Sequence, residues 1–157
     1  MFIIDYIGYI GPFILLIINV ILLPIFNINF HFLYLILFGN FFNLFFNYVL
    51  KDIFKIKRQK QKPFMGCIEK SYAMPSGHSQ LITFNSTLLT LIYRNLYITL
   101  FSIILCINTF YQRYNYKNHT IPQIIIGALI GIIFALLAYN IHLNIFIKKT
   151  QNNLNNK

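Results

Sequence analysis

Tryptophan is absent, acidic residues number three and cysteines two in a chain of 157 residues, and only 10% of the residues are charged. Each scarcity closes off a class of protein. Cys67, in a loop, and Cys106, in an expected helix, have neither metal-ligand spacing nor an evident pairing, so neither a disulfide framework nor a cysteine metal centre is expected. The acids are Asp5, Asp52 and Glu69. None falls deep inside an apolar run, which gives an ion-coupled carrier little support. The first residues carry no basic stretch and no small-residue cleavage pattern, so the first apolar run reads as a retained helix rather than a removable signal.

What fills the chain instead is apolar: 57% of it is hydrophobic, with 17 Phe and 11 Tyr. Several runs reach the roughly 20 residues needed to cross a hydrocarbon core about 30 Å thick. This predicts an all-α integral membrane bundle of about five helices with no separate soluble domain. The expected helices cover residues 2–23, stopping at Pro24, then 30–50, 76–93, 96–110, and 120 to just before Lys148. Residues 1–150 then form one membrane-embedded domain, and the Asn-rich stretch 151–157 is expected to be a disordered tail. In the second helix Asn40, Asn43 and Asn47 recur three and four apart and share a face, and the same spacing reaches Lys51 and Lys55. That stripe fits hydrogen bonding between helices at least as well as a part in catalysis. In the last helix Gly127, Gly131 and Ala135 continue the face of His119 and Gln123, which predicts close packing of a neighbouring helix.

The net charge is +10, and all Lys and Arg except Arg94, Lys148, Lys149 and Lys157 fall in the long loop, residues 52–73, its immediate flank or the polar segment before the last helix. Two crossings separate those regions, so both lie at one membrane surface. A basic belt there suits lipid headgroups or a phosphorylated substrate, and no nucleic-acid partner is expected. Pro75-Ser76-Gly77-His78 opens the third helix. Ser76 stands at the N-cap, unpaired N–H groups of the first turn attract an anion, Gly77 allows it close, and His78 is a proton donor beside it. Arg113 precedes His119 by six residues, and Gln123 follows His119 by four. One turn apart, Gln123 can hydrogen-bond one imidazole nitrogen and leave the other to attack phosphorus, with Arg113 binding phosphate oxygens. Lys55 and Lys62, the latter followed by Pro63, can clamp a phosphoryl group.

These blocks resemble the three-part signature of the type 2 phosphatidic acid phosphatase superfamily, Lys-x6-Arg-Pro, Pro-Ser-Gly-His and Ser-Arg-x5-His-x3-Asp. The match spans residues 55–123, with Lys62 for arginine, Gln112 for serine and Gln123 for aspartate. The resemblance implies a hydrolase that needs no metal or other cofactor: His119 takes the phosphoryl group, His78 protonates the leaving oxygen, and Lys55, Lys62, Ser76, Gly77 and Arg113 hold the phosphate. Met74-Pro75-Ser76-Gly77-His78-Ser79-Gln80 and His119-Thr120-Ile121-Pro122-Gln123 resemble the dolichyl diphosphatase branch, which implies a polyprenyl diphosphate substrate. A phosphatidate-type phosphatase and a lipid-phosphate binder with weakened turnover are the alternatives. The positive-inside rule puts the basic surface in the cytoplasm, whereas the resemblance implies a lumenal or external site in the endoplasmic reticulum or another internal membrane. Setting aside Lys55, Lys62 and Arg113 nearly removes the charge bias, and the resemblance is followed.

Overall fold

The computed structural model describes residues 2–58, 60–64 and 69–155. It holds five helices, α1 Phe2–Ile25, α2 His31–Phe54, α3 Gly77–Tyr93, α4 Leu96–Asn115 and α5 Ile121–Asn155, and no strand among the described residues. Three of them, α1, α2 and α5, are long and apolar enough to cross a bilayer, with mean hydropathies of 2.3, 1.6 and 2.5. Large apolar side chains such as Phe13, Ile17, Phe38, Phe41, Ile104 and Leu137 stand exposed around the outside, as a lipid-facing surface requires. The protein is an all-α, multi-pass membrane helical bundle.

α3 is the hub. It packs on all four other helices, most extensively on α5, while α1 pairs chiefly with α4. Because protein rather than lipid surrounds it, α3 carries polar side chains on more than one face, and Ser79, Gln80, Thr83, Asn85 and Ser86 are all buried. Their partners lie across the seams. Asn40 and Asn85 exchange amide hydrogen bonds of 2.8 and 3.0 Å, Asn19 donates to the Asn85 carbonyl at 3.1 Å, and Ser86 meets Ser102 at 2.8 Å. Nearer the loop surface, Asn47 donates to Gln80 and Gln80 to Asn43, each at 2.7 Å. The asparagine stripe of α2 is therefore a hydrogen-bonded seam against α3. The α3–α5 seam is closed by small residues: a Cβ on Gly127 would come within 2.6 Å of the Ser76 carbonyl oxygen, and one on Gly131 would collide with the Gln80 carbonyl.

Where C-terminal helix ends depart from the sequence expectation they lie further out, while the starts of α2, α3 and α5 lie one residue in. α1 continues through Pro24, α2 runs on to Phe54, and α4 takes in residues 111–115. α5 passes the expected stop before Lys148, and the tail from Gln151, expected to be disordered, has helical backbone to Asn155. The reason is the same for α2, α4 and α5. No glycine or proline interrupts residues 51–54, 111–115 or 132–155, so polarity alone does not end the helix.

Candidate active site

The turn before α3 forms as its residue types dictate. Ser76 is the N-cap, in extended conformation, and its Oγ accepts from the Ser79 N–H at 3.4 Å and from the Ser79 hydroxyl at 2.9 Å. Gly77 lies against Asn47, whose Oδ1 would be 3.0 Å from a Cβ placed there. The Ser76 N–H donates to the Gln123 carbonyl at 3.2 Å, which ties the start of α3 to the start of α5. His78, one residue into α3, rests its ring on Tyr9, with centroids 5.3 Å apart.

His119 sits in the turn between α4 and α5. The N–H groups of Asn118 and His119 both donate to the Arg113 carbonyl, at 3.1 and 3.3 Å. Its Nδ1 is 2.8 Å from the Ala73 carbonyl oxygen. A carbonyl only accepts, so Nδ1 carries the proton and Nε2 holds the lone pair. Nε2 in turn faces Arg58 Nη1 at 3.2 Å. Burial, and then the Arg58 and Arg113 guanidinium groups, push the imidazole from the ordinary 6.5 down to about 3. His119 is thus a neutral imidazole with its nucleophilic nitrogen aimed at the Arg58 guanidinium.

Gln123 does not orient it. Its Oε1 accepts the Thr120 N–H at 3.0 Å, the return half of a capping box at the start of α5. A third-position side chain reaches its own helix end more readily than a residue outside the helix, and the Ala73 carbonyl takes the orienting role instead.

The cation set also differs from expectation. Arg113 is fully buried and pairs with Glu69, while its Nε and Nη1 have no hydrogen-bond partner among the described residues. The other carboxylate oxygen of Glu69 is 2.5 Å from Arg58 Nη2. Arg58 is fixed besides by the Ser71 and Asn118 carbonyls, each at 2.8 Å. Lys51 donates to the Ser71 hydroxyl at 3.2 Å and adds a third positive charge. Lys55, expected in this cluster, is the exposed C-cap of α2, with φ of 49°, so it leaves the stripe that carries Lys51. Lys62 is exposed as well, its backbone N–H held by the Tyr116 carbonyl, and its side chain borders an outer cleft of about 470 Å³ that His119 also lines. Lys51 and Arg58 have the same x6 spacing and supply an arginine, which the later register lacks, whereas Pro63 favours the later one. Cys67 and Gly66 lie outside the described residues.

One cluster of charges therefore acts on both histidines: Arg58, Arg113, Glu69 and Lys51 each exert an electrostatic effect on His78 and on His119. The two open differently. His119 lines the outer cleft beside Lys62 and Lys117. His78 instead lines a cavity of about 210 Å³ with Lys51, Glu69 and Asn47, whose remaining wall is apolar, including Pro12, Phe13 and Leu44 from α1 and α2. Ser76, Gly77, His78, Arg113 and His119 are thus gathered at one end of the bundle.

A polytopic bundle that holds two helix-start histidines beside an arginine and lysine cluster defines a membrane protein with the cations that a phosphate group would require. The PAP2 superfamily model matches residues 30–147, and the chain belongs to that superfamily. It is 33% identical over 106 residues to Dolichyldiphosphatase 1 of Dictyostelium discoideum; the match takes in 60% of this chain and 45% of that protein, less than half the relative's length. The fold is similar to the crystal structure of a PAP2-type phosphatidylglycerolphosphate phosphatase from Bacillus subtilis, with a TM-score of 0.69, 18% identity, and coverage of 90% of this chain and 74% of that one.

Proposed function

We propose that this chain is a membrane-embedded lipid phosphatase that hydrolyses a polyprenyl, dolichyl-type diphosphate through a phosphohistidine on His119. The observation that carries the reading is the arrangement of His119 and His78 about the shared Lys51, Arg58 and Arg113 cluster, with His78 on the side that opens through an apolar mouth. The lone pair of His119 Nε2 attacks the terminal phosphorus while the bond to the bridging oxygen breaks. His78, once the substrate's negative charge brings a proton onto its ring, protonates that oxygen, which departs with the lipid monophosphate. Water then cleaves the N–P bond, His78 accepts its proton, and inorganic phosphate leaves. Lys51, Arg58 and Arg113, with the Ser76 hydroxyl and the N–H groups at Gly77, hold the phosphoryl oxygens as charge builds in transfer. The likeness to Dolichyldiphosphatase 1 supports the diphosphate over phosphatidate. The site then faces the lumen of an internal membrane such as the endoplasmic reticulum, or the exterior.

The test is phosphate release by the purified protein in detergent with EDTA present, from a polyprenyl diphosphate and from phosphatidate. Release is expected from the diphosphate first, to vanish in His119→Ala, and to fall roughly 100- to 10,000-fold in His78→Ala. Full activity in His119→Ala would refute the nucleophile. A folded protein that binds phosphate and releases none from either lipid would be the binder instead.

A further inference from the structure

Glu69 is the only acid among the described residues of the loop cluster, and it occupies the two arginines that a phosphate would need. Its backbone is held separately: the Gln61 side chain accepts from its N–H at 3.2 Å and donates to its carbonyl at 2.8 Å. The Glu69 side chain is 31% exposed and lines the cavity beside His78, while the Arg58 and Arg113 side chains are 5% and 0% exposed. Rotation of one side chain therefore vacates both arginines while the backbone stays tied. The two guanidinium groups hold the carboxyl well below the usual carboxylate range, at about 2, so it is charged at any physiological pH.

A site that opens to the bilayer meets phosphodiester headgroups at high local concentration, and each diester phosphate carries one negative charge. Terminal phosphate monoesters and diphosphates carry about two or more near neutral pH. We propose that Glu69 is a specificity-determining residue, a tethered monoanion that keeps phosphodiester lipids off Arg58 and Arg113 and yields only to phosphates bearing a second charge. Exchanging one monoanion for another adds no attraction, and the tethered carboxylate has an effective concentration on the order of millimolar or above. A dianion adds one further unit of attraction to Lys51, Arg58 and Arg113 together, in a buried setting where such attraction is weakly screened. The inference rests on the phosphate-site reading above and adds which phosphates the site refuses.

Binding is the readout, so that turnover plays no part. The protein in detergent micelles is titrated at pH 8 with inorganic phosphate and with dioctanoyl phosphatidylglycerol, for the natural sequence, Glu69→Gln and Glu69→Asp. The natural protein and Glu69→Asp are expected to bind phosphate and exclude the diester, and Glu69→Gln to bind the diester at least tenfold more tightly than the natural protein does. Equal diester affinity in the natural protein and Glu69→Gln, whether weak or strong, would overturn the inference while leaving the phosphate site standing. So would loss of phosphate binding in a folded Glu69→Gln, which would make the carboxylate a brace for the arginines. If no variant binds either ligand, the phosphate site falls, and the selectivity with it.

Discussion

A difference of four positions decides which cations serve the site. Lys51 ends the asparagine stripe of α2, and the left-handed turn at Lys55 then redirects the chain so that Arg58 reaches the Ser71 and Asn118 carbonyls and His119. Arg58→Ala is accordingly expected to lower kcat/KM for the lipid substrate by about 100- to 1,000-fold, the loss usual for a single transition-state donor. Lys62→Ala, an exposed residue, should stay within about threefold, and comparable losses in the two variants would return the site to the later register. The imidazole makes a second prediction. Its folded value lies far below the ordinary 6.5, so His119 binds its proton only well under that pH. The 15N shifts of His119 should report a neutral ring protonated at Nδ1 at pH 5, where an exposed histidine is charged; an imidazolium signal there would contradict the geometry.

At the scale of elements, the α3–α5 seam and the two helix starts form one mechanical unit, joined by the Ser76 to Gln123 backbone bond. Gly131→Val drives a side chain into the Gln80 carbonyl and should lower the thermal midpoint in detergent by several degrees and cut activity with it. Gln123→Ala removes only the capping contact, with a cost of about 1 kcal/mol and modest loss of turnover; Gln123→Glu preserves the cap. Abolition of activity by Gln123→Ala in a folded protein would instead restore it as a partner of the nucleophile. Much of this level was legible in the residues: Ser76 as N-cap, the asparagine face and the glycine steps all follow from helical period and side-chain size. The loop was not. In a stretch with many lysines two x6 spacings coexist, and only the path of the backbone decides which pair turns inward. The orienting contact for His119 comes from a backbone carbonyl, at Ala73, which no side-chain pattern announces.

At the scale of the whole molecule, two openings of unlike character border the site, one beside His119, Lys62 and Lys117 and one beside His78 with a largely apolar wall from α1 and α2. If the lipid reaches the phosphate cluster from the bilayer between α1 and α2, bulk at the apolar mouth obstructs long-chain substrates selectively. Leu44→Trp should raise KM for a polyprenyl diphosphate severalfold and leave a short, water-soluble phosphate ester nearly unaffected; equal effects on both would argue for access through the outer cleft.

The asparagine seam has a further consequence, for biogenesis. α2 has the lowest mean hydropathy of the three long apolar helices, and it buries Asn40, Asn43 and Asn47 against a helix that follows it in the chain. Until α3 is made, Asn40 keeps only its bond to the Ile36 carbonyl one turn back and all three amides lack their cross-helix partners, in lipid where an unpaired amide is costly. α2 is therefore a reluctant lodger in the bilayer on its own. A nascent chain arrested before Gly77 should remain beside the insertion machinery, and a fragment ending there should be cleared as an orphan while the full bundle persists.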